Sequence, residues 1–485
     1  MVKTQKTYKH ILTCKKIRAT LCSCKRLLVH ENYITLLEDV SMKKVKRALA
    51  LALALSTVMV SACGSTTDSA SNEPEKKTDT TENVAAENGD KVELRFLLWG
   101  NQEEIDKKTE WTEKFNEEND RIHVSLEAIP EGFHDKLTVQ ISSGTLADLV
   151  QIAGDFGGVY FKEGLFEPLD SYIEKDGLQD AWVDTLMTGL SYNGSVYAAP
   201  CTYNSGYIIY NKTMFEENNV PLPTDDWTEE DFLAAAQALT QGEGDDKVWG
   251  ADFTSWWAYS LARNLYDGYK AWDWEEGKMT ADTEGFRDGL QFMSDLYQKY
   301  KVSPTPTQAA DIGGSFTTGK YAMTIGASWD MASFNEAIGD SFEWDIVTFP
   351  SNEKYGQWRS PLWTTAIGIS ADCPYKDEAW EYIKYMSASD EIQDQIEVIG
   401  LPALKSVSES DEFINNIPDG WKPFHKEVYA KALNYAVDGV VLNEIQDGIM
   451  KPELEKLFTG QQDIDTTIEN IQTEGQLKLD RMQEE

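Results

Sequence analysis

Apolar and polar residues follow one another along the chain with two different periods. Residues 92–99 form an apolar-rich run, and residues 122–126 alternate between apolar and polar positions, which is typical of strands. Between these runs, Ile105, Trp111 and Phe115 fall on one face of a helix. The pattern predicts a strand, a helix and a second strand in this order.

The same alternation continues towards the C-terminus. Apolar runs at 146–152 and 207–210 predict further strands, and residues 377–386 place an apolar stripe on a helix. Thr228 precedes another amphipathic segment and is followed three residues later by Asp231, a capping-box arrangement. Strands that alternate with helices predict an α/β fold with mostly parallel sheets, in which ligands bind at the carboxyl ends of the strands.

Length and composition indicate the number of domains and exclude some classes of partner. The chain has 485 residues, and 41% of them are hydrophobic, which is enough for two domains with cores of their own. It carries 82 acidic and 44 basic residues, and 12 of the basic ones lie within the first 62 positions. Nucleic-acid phosphates and anionic lipid headgroups repel such an acidic body. We therefore expect no nucleic-acid partner and no membrane contact through the folded surface.

The N-terminal region carries the most specific signal. A Lys/Arg cluster at 43–47 precedes a mostly apolar run of 13 residues, 48–60. This run is too short to span a bilayer as a helix and fits the hydrophobic region of an export signal. Small residues precede Cys63, and the stretch resembles the lipobox of bacterial lipoproteins. The resemblance implies cleavage before Cys63 and a diacylglycerol on its sulfur. An ordinary secretory signal with a chance cysteine is the alternative.

Two flanking segments complete this N-terminal prediction. Residues 1–41 do not fit a signal sequence, and Met42 stands directly before the basic cluster, so we expect translation to begin at Met42 and residues 42–62 to be the signal peptide. Residues 63–90 begin with the lipidated cysteine and continue as a polar tether without aromatic residues, too poor in apolar surface to fold. The folded body is expected to begin near Lys91.

Metal and disulfide chemistry has little support in the sequence. Cys201 and Cys373 follow Cys63 at a great distance from each other, and nothing indicates whether they pair. The histidines have no HxxH or HExxH spacing, so we expect no metal site, and no motif indicates a cofactor.

Tryptophans beside polar or small residues are the main candidate binding groups. Trp99, Trp329 and Trp363 stand at predicted strand ends, and Gln102 and Asp330 are their polar neighbours. A neutral sugar packs its C–H faces on flat aromatic rings, and its hydroxyls need paired donors and acceptors. These positions therefore favour sugar binding, with ordinary core packing as the alternative for any single Trp.

Further candidates come from other turns of the chain. The pair Trp256 and Trp257 lies in a setting of small polar residues, and Asp155 follows the probable strand 149–153 among glycines. Tyr203 and Asn204 lie between two strand candidates. Their alternatives are core packing for the tryptophans, a turn for Asp155 and hinge packing for Tyr203 and Asn204.

Several motifs in a characteristic order extend from residue 94 to residue 403. They include Leu-Leu-Trp at 97–99, Ser-Gly-Thr-Leu-Ala-Asp-Leu-Val at 143–150, Tyr-Asn-Gly-Ser-Val-Tyr-Ala-Ala-Pro at 192–200, Phe-Thr-Thr-Gly-Lys-Tyr-Ala-Met at 316–323 and Gly-Leu-Pro-Ala at 400–403. In these motifs the chain resembles the family 1 extracellular solute-binding proteins, the carbohydrate receptors of ABC importers. Alanine stands at position 147 where the family usually has proline, a departure without functional weight.

The resemblance implies a two-lobed α/β fold of the type II periplasmic-binding-protein class, with a multi-strand hinge and a ligand cleft between the lobes. The N-terminal lobe is expected to contain residues 91–204 and about 349–373, and the C-terminal lobe residues 205–348 and about 374–485. In such relatives, the positions of Trp99, Asp155, Tyr203 and Trp329 often touch ligand. Trp256, Trp257 and Trp363 are added on physical grounds alone.

The function implied by the resemblance is capture of a sugar, in particular an oligosaccharide, by hinge closure. The receptor would be a monomer on the extracellular face of the bacterial membrane, attached through its N-terminal lipid only, and would deliver the sugar to the permease subunits. Two alternatives stay open. One is a binding protein for another solute, and the other is a surface glycoside hydrolase, whose two carboxylates an acid-rich composition does not reveal.

The lipobox generates a direct prediction. We expect the mature protein from bacterial cells to begin at Cys63 with an acylated N-terminus, and Cys63→Ser to release the protein from the membrane, because the two acyl chains supply the anchor. Mass spectrometry of the N-terminal peptide and cell fractionation measure both effects. A Cys63→Ser variant that stays in the membrane fraction would contradict the anchor.

Overall fold

The computed structural model describes residues 91–484 except 255–256, 267, 269–270, 275, 307, 310–314, 419–420, 423 and 438–440. The predicted signal segment, Cys63, the tether and Trp256 lie outside the described residues. Within the described part of the chain, no helix combines the length and apolarity that crossing a bilayer requires.

The strands and helices alternate along most of the chain. The strands are β1 Val92–Trp99, β2 Ile122–Ile129, β3 Leu149–Ala153, β4 Ser191–Tyr192, β5 Ser195–Val196, β6 Ala198–Asn211, β7 Trp272–Asp273, β8 Lys278–Met279, β9 Met323–Ala327, β10 Trp344–Val347, β11 Ser351–Asn352, β12 Gly356–Gln357, β13 Ser360–Ile369, β14 Leu401–Pro402 and β15 Ala436–Val437.

The α-helices are α1 Gln102–Glu118, α2 Phe133–Ser143, α3 Gly154–Lys162, α4 Asp170–Asp176, α5 Lys212–Glu217, α6 Glu229–Leu239, α7 Ala258–Asn264, α8 Glu284–Gln298, α9 Met331–Ile338, α10 Lys376–Ser387, α11 Asp390–Gln393, α12 Lys405–Ser408, α13 Asp411–Asn415, α14 Val428–Ala432, α15 Asn443–Ile445, α16 Lys451–Phe458 and α17 Ile464–Glu484. A π-helical turn, Gln446–Met450, joins α15 to α16. Short 3-10 helices span Asp184–Met187, Gly244–Asp246, Phe316–Thr318, Ser328–Asp330, Ile396–Val398 and Leu433–Tyr435.

Side-chain caps fix the start of two long helices. The Asn101 side chain accepts a hydrogen bond from the Glu104 N–H, and the Glu104 carboxylate accepts one from the Asn101 N–H, so α1 begins at the next residue. Thr228 and Asp231 form the same reciprocal arrangement at α6, which confirms the predicted capping box.

The C-terminal half of strand β1 is buried on both faces, as a central strand of layered α/β structure is. Leu94, Phe96 and Leu98 pack into one core together with Trp111 and Phe115 of α1. Leu97 points to the opposite face, where α2 and α3 supply the packing partners. The alternation of side chains along a strand thus places helices on both sides, and the predicted α/β class is confirmed.

The prediction of mostly parallel sheets is wrong. The main sheet has the order β10–β6–β13–β3–β1–β2, and β9 and β14 also pair with β6 and β15 with β13. Strand β1 runs parallel to β2 and β3, but β13 is antiparallel to β3 and to β6, and β9 and β10 are antiparallel to β6. Strand β13 runs in the direction opposite to that of β1, β3 and β6, which apolar periodicity alone does not reveal.

Strand β6 connects two groups of strands. Its first half, from Ala198 to Ser205, pairs with β13, and its second half, from Gly206 onwards, pairs with β9 and β10. All of its residues are buried. This strand therefore passes through the middle of the described body.

The glycine at the midpoint of β6 is required by close packing. The Gly206 N–H donates to the Ser360 hydroxyl at 2.6 Å, and a Cβ at position 206 would lie 2.8 Å from that oxygen and 2.8 Å from the Trp257 ring. Any side chain at this position would push β6 away from β13 and Trp257.

The C-terminal third of the chain contributes residues to two different cores, and this division indicates where the lobe boundaries lie. Tyr382 of α10 packs edge-on against Phe96 and Phe115, with ring centroids 5.7 and 5.1 Å apart. Buried residues from 432 to 479 pack instead into the core that contains residues 208–358. The predicted lobe limits stay a prediction, and we propose to count residues 376–429 with the N-terminal lobe and the last segment with the C-terminal lobe.

Cys201 and Cys373 do not form a disulfide with each other. Cys201 lies in β6 and Cys373 follows β13, and both are buried with free thiols.

The packing at Gly206 predicts a stability effect. Gly206→Ala should lower the free energy of unfolding by about 1–3 kcal/mol, the usual cost of overpacking a core. Chemical denaturation measures this, with Gly448→Ala as the control because a Cβ there meets no atom within 4 Å. Equal stability of the two variants would contradict the close approach.

Candidate binding site

A cavity of about 400 Å³ opens where the carboxyl ends of β1, β2 and β3 meet the crossing strands. We call it the aromatic cavity. It is lined by Trp99, Glu104, Pro130, Gly132, Phe133, His134, Ala153, Asp155, Phe156, Asn204, Trp329, Trp363, Thr364, Thr365, Val441 and Asn443.

One wall of the aromatic cavity is built from strand ends and the helices that follow them. Trp99, the last residue of β1, packs edge-on against Phe133 with ring centroids 4.7 Å apart, and lies 5.7 Å from Phe156. His134 meets the same Phe156 ring at 4.7 Å. Since Phe133 and His134 begin α2 and Phe156 lies in the first turn of α3, the ends of two helices hold this wall.

A buried lysine anchors the end of β1 beneath this wall. The Lys108 ammonium donates to the Trp99 carbonyl at 3.1 Å and to Gln151 Oε1 at 3.0 Å. Burial lowers the pKa of Lys108. These bonds fix the backbone of Trp99 and therefore the position of its ring.

The opposite wall consists of tryptophans from β13 and from the turn after β9. The Trp329 and Trp363 rings meet edge-on at 4.8 Å, and Trp257 lies behind Trp363 at 5.4 Å. Trp363 is the direct partner of Asn204 across the β13–β6 pair. The aromatic cavity is thus lined by two groups of aromatic rings, one around Trp99 and one around Trp363, together with polar residues.

Asp155 is the main charged group of the cavity. Its Oδ1 atom is enclosed and has no hydrogen-bond partner among the described residues. Burial raises the pKa of Asp155 to about 6, although the nearby Arg263 guanidinium partly opposes this shift. At neutral pH the site holds a carboxylate with an unused acceptor, which costs stability unless a ligand donates to it.

Uncharged polar groups line the cavity together with Asp155. The Asn204 side-chain oxygen accepts a hydrogen bond from the Ser328 hydroxyl. Burial lowers the pKa of His134, so its imidazole is neutral at physiological pH and can both donate and accept. This set of groups matches a neutral ligand that carries several hydroxyls.

Three consecutive residues of β13, namely Trp363, Thr364 and Thr365, line the aromatic cavity. They pair in regular register with β6, and the register changes one step further on, between Thr365 and Ala366, where β6 carries one extra residue. Such bulges are common beside binding sites.

The structure brings five of the predicted site residues to the aromatic cavity, namely Trp99, Asp155, Asn204, Trp329 and Trp363. Trp363 is an interior residue of β13, so its predicted place at a strand end is wrong. Their contact with a ligand stays a prediction.

Four other predicted residues do not line the cavity. Tyr203 is only 2% exposed because it points to the face of β6 opposite to Asn204. Gln102 is exposed and donates to Asp106, and Asp330 accepts a hydrogen bond from the Ala327 N–H, which fixes the turn that carries Trp329. Trp257 is buried behind Trp363 and supports that ring from the core.

Several residues of the cavity wall were not predicted from the sequence. Among them are Phe133, His134 and Phe156. Their signal is the one that selected Trp99, a position at or just after the end of a strand. Phe133 and His134 follow β2 in this way, and Phe156 stands one residue beyond Asp155 after β3. Thr364, Val441 and Asn443 depend on long-range packing and carry no local signal.

A larger groove of about 1020 Å³ lies elsewhere, between the start of α6, helix α8 and the β11–β12 hairpin. Glu229, Glu230, Asp288, Asp295 and Glu353 are among its lining residues, and none of the predicted site residues is. The smaller aromatic cavity, with its enclosed acceptor and aromatic rings, is the better-formed ligand site.

Comparison with known proteins identifies the family of this chain. The family model described as bacterial extracellular solute-binding protein matches residues 110–418, more than half of the chain. The chain belongs to this family.

The solute-binding protein has relatives of known name and structure. It is 25% identical over 312 residues to the multiple sugar-binding protein of Streptococcus mutans, covering 61% of this chain and 71% of the relative. An ABC substrate-binding protein of Listeria monocytogenes, solved in complex with cycloalternan, is 24% identical, with a TM-score of 0.66 and coverage of 81% and 99%. The sugar-binding protein MalE of Xanthomonas citri is 19% identical, with a TM-score of 0.68 and coverage of 81% and 98%. The predicted family and the two-lobed fold class are confirmed.

The enclosed carboxylate of the solute-binding protein generates a pH-dependent prediction. Because the folded pKa of Asp155 is raised from 3.8 to about 6, its share of stability is full below pH 3.8 and is lost as the pH rises through 6, by at most about 3 kcal/mol. Asp155→Asn removes this loss. We expect the variant to melt at the same temperature as the wild type near pH 4 and several degrees higher at pH 7.5.

Differential scanning calorimetry of the ligand-free protein across this pH range measures the effect. Asp330, whose pKa burial also raises to about 6, is present in both proteins and cancels in the difference. A variant that is less stable than the wild type at pH 7.5 would contradict the unpaired state of Asp155.

Proposed function

We propose that this protein is the extracellular receptor of an ABC importer and that it captures a neutral oligosaccharide in the aromatic cavity. The observation that carries the proposal is the presence of several indole rings around an enclosed acceptor. Trp99, Trp329 and Trp363 line the cavity, and so does Asp155, whose enclosed Oδ1 atom has no hydrogen-bond partner among the described residues. A pyranose ring has apolar faces for the indoles and hydroxyls for the enclosed acceptor.

The names of the relatives support the same ligand class. Those named above include a multiple sugar-binding protein and a receptor solved with an oligosaccharide. Both are named as binding proteins, and the receptor role is the one that family membership favours.

Capture by closure follows from the place of the cavity. Its walls come from the ends of β1 and β3 on one side and from the turn after β9 on the other, and β6 links both groups of strands. A sugar that touches both walls binds the closed arrangement more tightly than the open one, and this difference in affinity shifts the population. The closed form would then be recognised by the permease.

Anchoring would keep the receptor near its transporter. We propose that diacylglycerol on Cys63 holds the protein at the extracellular face of the membrane and that the acidic body acts as a monomer on its tether. The large net negative charge of the chain, −38, opposes direct contact of the body with anionic lipid.

The carboxylates of the aromatic cavity favour binding over hydrolysis. A glycoside hydrolase needs two carboxylates placed about the scissile bond, one of them as a general acid. Glu104 and Asp155 are the acids on the wall of this cavity, and the Glu104 carboxylate is engaged with the Asn101 N–H at the start of α1. We therefore propose that the protein releases its sugar unchanged.

Removing one indole tests the proposal. Trp329→Ala should weaken binding of the preferred oligosaccharide about 30-fold or more, because the ring loses its contact with the sugar face. Trp329 is half-buried, so the fold should survive. Isothermal titration calorimetry against a panel of neutral oligosaccharides measures the effect, and chromatography of the ligand after incubation measures turnover.

The half-buried Trp421, which is not part of the cavity wall, supplies the matched control variant Trp421→Ala. If the wild type binds no neutral oligosaccharide, the sugar assignment is wrong. Cleavage of the ligand would favour an enzyme. Equal affinities of the wild type and Trp329→Ala would remove Trp329 from the site.

A further inference from the structure

A second, smaller cavity shares a wall with the aromatic cavity. It has a volume of about 220 Å³, and we call it the distal cavity. Asp155, Trp363, Val441 and Asn443 line both cavities. A ligand that fills the aromatic cavity therefore ends within one residue layer of the distal one.

The distal cavity is built on a fully buried arginine. Arg263 of α7 is 2% exposed, and its guanidinium lies over the Trp272 ring at 4.9 Å from the centroid. It donates to Asn264 Oδ1 at 3.1 Å and to the side-chain oxygen of Gln446. These contacts hold a planar group of five N–H donors at the bottom of the cavity.

A π-helical turn forms the rim beside Arg263. Within the turn Gln446–Met450, the residues Gln446 and Asp447 reach the cavity, and Asn443 reaches it from the preceding helical turn. The hydrogen bonds of Gln446 with the described residues Arg263 and Ser260 both use its Oε1 atom, and its amide N–H groups can therefore donate to a ligand. A π turn inserted in a helix is frequently found at functional sites.

We propose that the distal cavity is a second sugar subsite, which extends the ligand beyond Asp155 and selects uncharged rings. This inference rests on the proposed oligosaccharide function and names the length and charge of its ligand. The chemistry on the two sides is complementary: Arg263 offers donors only, and the enclosed Oδ1 of Asp155 accepts only. A hydroxyl group satisfies both because it donates and accepts.

The charges of the distal cavity oppose the two alternative ligand classes. A carboxylate on a uronic acid ring would pair with Arg263 but would face Asp155 and Asp447 on the same wall. A cationic amino sugar would pair with these carboxylates but would face the buried guanidinium. Neutral rings avoid both repulsions and can pair with Asn443 and Gln446 at the rim.

A ring-by-ring truncation series tests the subsite. The tightest-binding neutral oligosaccharide of the calorimetric panel is shortened one ring at a time and titrated into the wild type, Gln446→Ala and the control Gln237→Ala, an exposed glutamine on α6. We expect Gln446→Ala to weaken binding of the longest member about 10-fold and to leave the affinity of the shortest binding member unchanged. Gln237→Ala should match the wild type at every length.

Two further measurements sharpen the test. Asp447→Ala changes an exposed residue of the π turn and should reproduce the length-dependent loss if Gln446→Ala alters folding, which thermal unfolding reports. The longest member with its terminal ring oxidised to a uronate should bind the wild type at least 10-fold more weakly.

The outcomes separate this subsite from the function on which it rests. Tight binding that is independent of length, or a loss in Gln446→Ala that is equal at all lengths, overturns the distal subsite and leaves the receptor role standing. Equal or tighter binding of the uronate overturns the selection of neutral rings. No binding of any member to the wild type overturns the receptor role and the subsite together.

Discussion

The close contact of β6 with β13 at Gly206 is the constraint on which the remaining structure depends. Without a side chain at position 206, the backbone N–H reaches the Ser360 hydroxyl and the Trp257 ring fits against the strand. This contact sets Trp257 behind Trp363 and places Trp363 opposite Asn204. One backbone approach thereby aligns the crossing strand, the supporting core and the wall of the binding cavity.

The chemistry of the cavity follows from what the fold leaves unpaired. The ends of β1 and β3 bring Trp99 and Asp155 to one cavity, and β13 adds Trp363. An enclosed carboxylate oxygen without a partner is unfavourable in the free protein. A site that destabilises its own empty state in this way gains affinity when a hydroxyl completes the hydrogen bonds, and this is a common form of the trade between stability and function.

Local sequence patterns predicted the elements and part of the site. The alternation at 92–99 and the capping residues Thr228 and Asp231 act within a few positions, so the strand and the helix start appeared as expected. Strand-end logic also found Trp99 and Asp155, because parallel strands end at one edge of a sheet. Tyr203 was selected from its place between two strand candidates and from the resemblance. It points into the core, since the direction of a side chain in β6 depends on which face of the strand meets the core. The antiparallel course of β13 and the contribution of Val441 and Asn443 arise from contacts between distant segments, for which a single sequence holds no local signal.

A crystal structure of the protein with its preferred neutral oligosaccharide would locate the ligand. We expect one sugar ring against the Trp329 and Trp363 indoles and a ligand hydroxyl within hydrogen-bond distance of Asp155 Oδ1. An oligosaccharide bound in the acidic groove beside α8, with the aromatic cavity left empty, would refute sugar capture in the aromatic cavity.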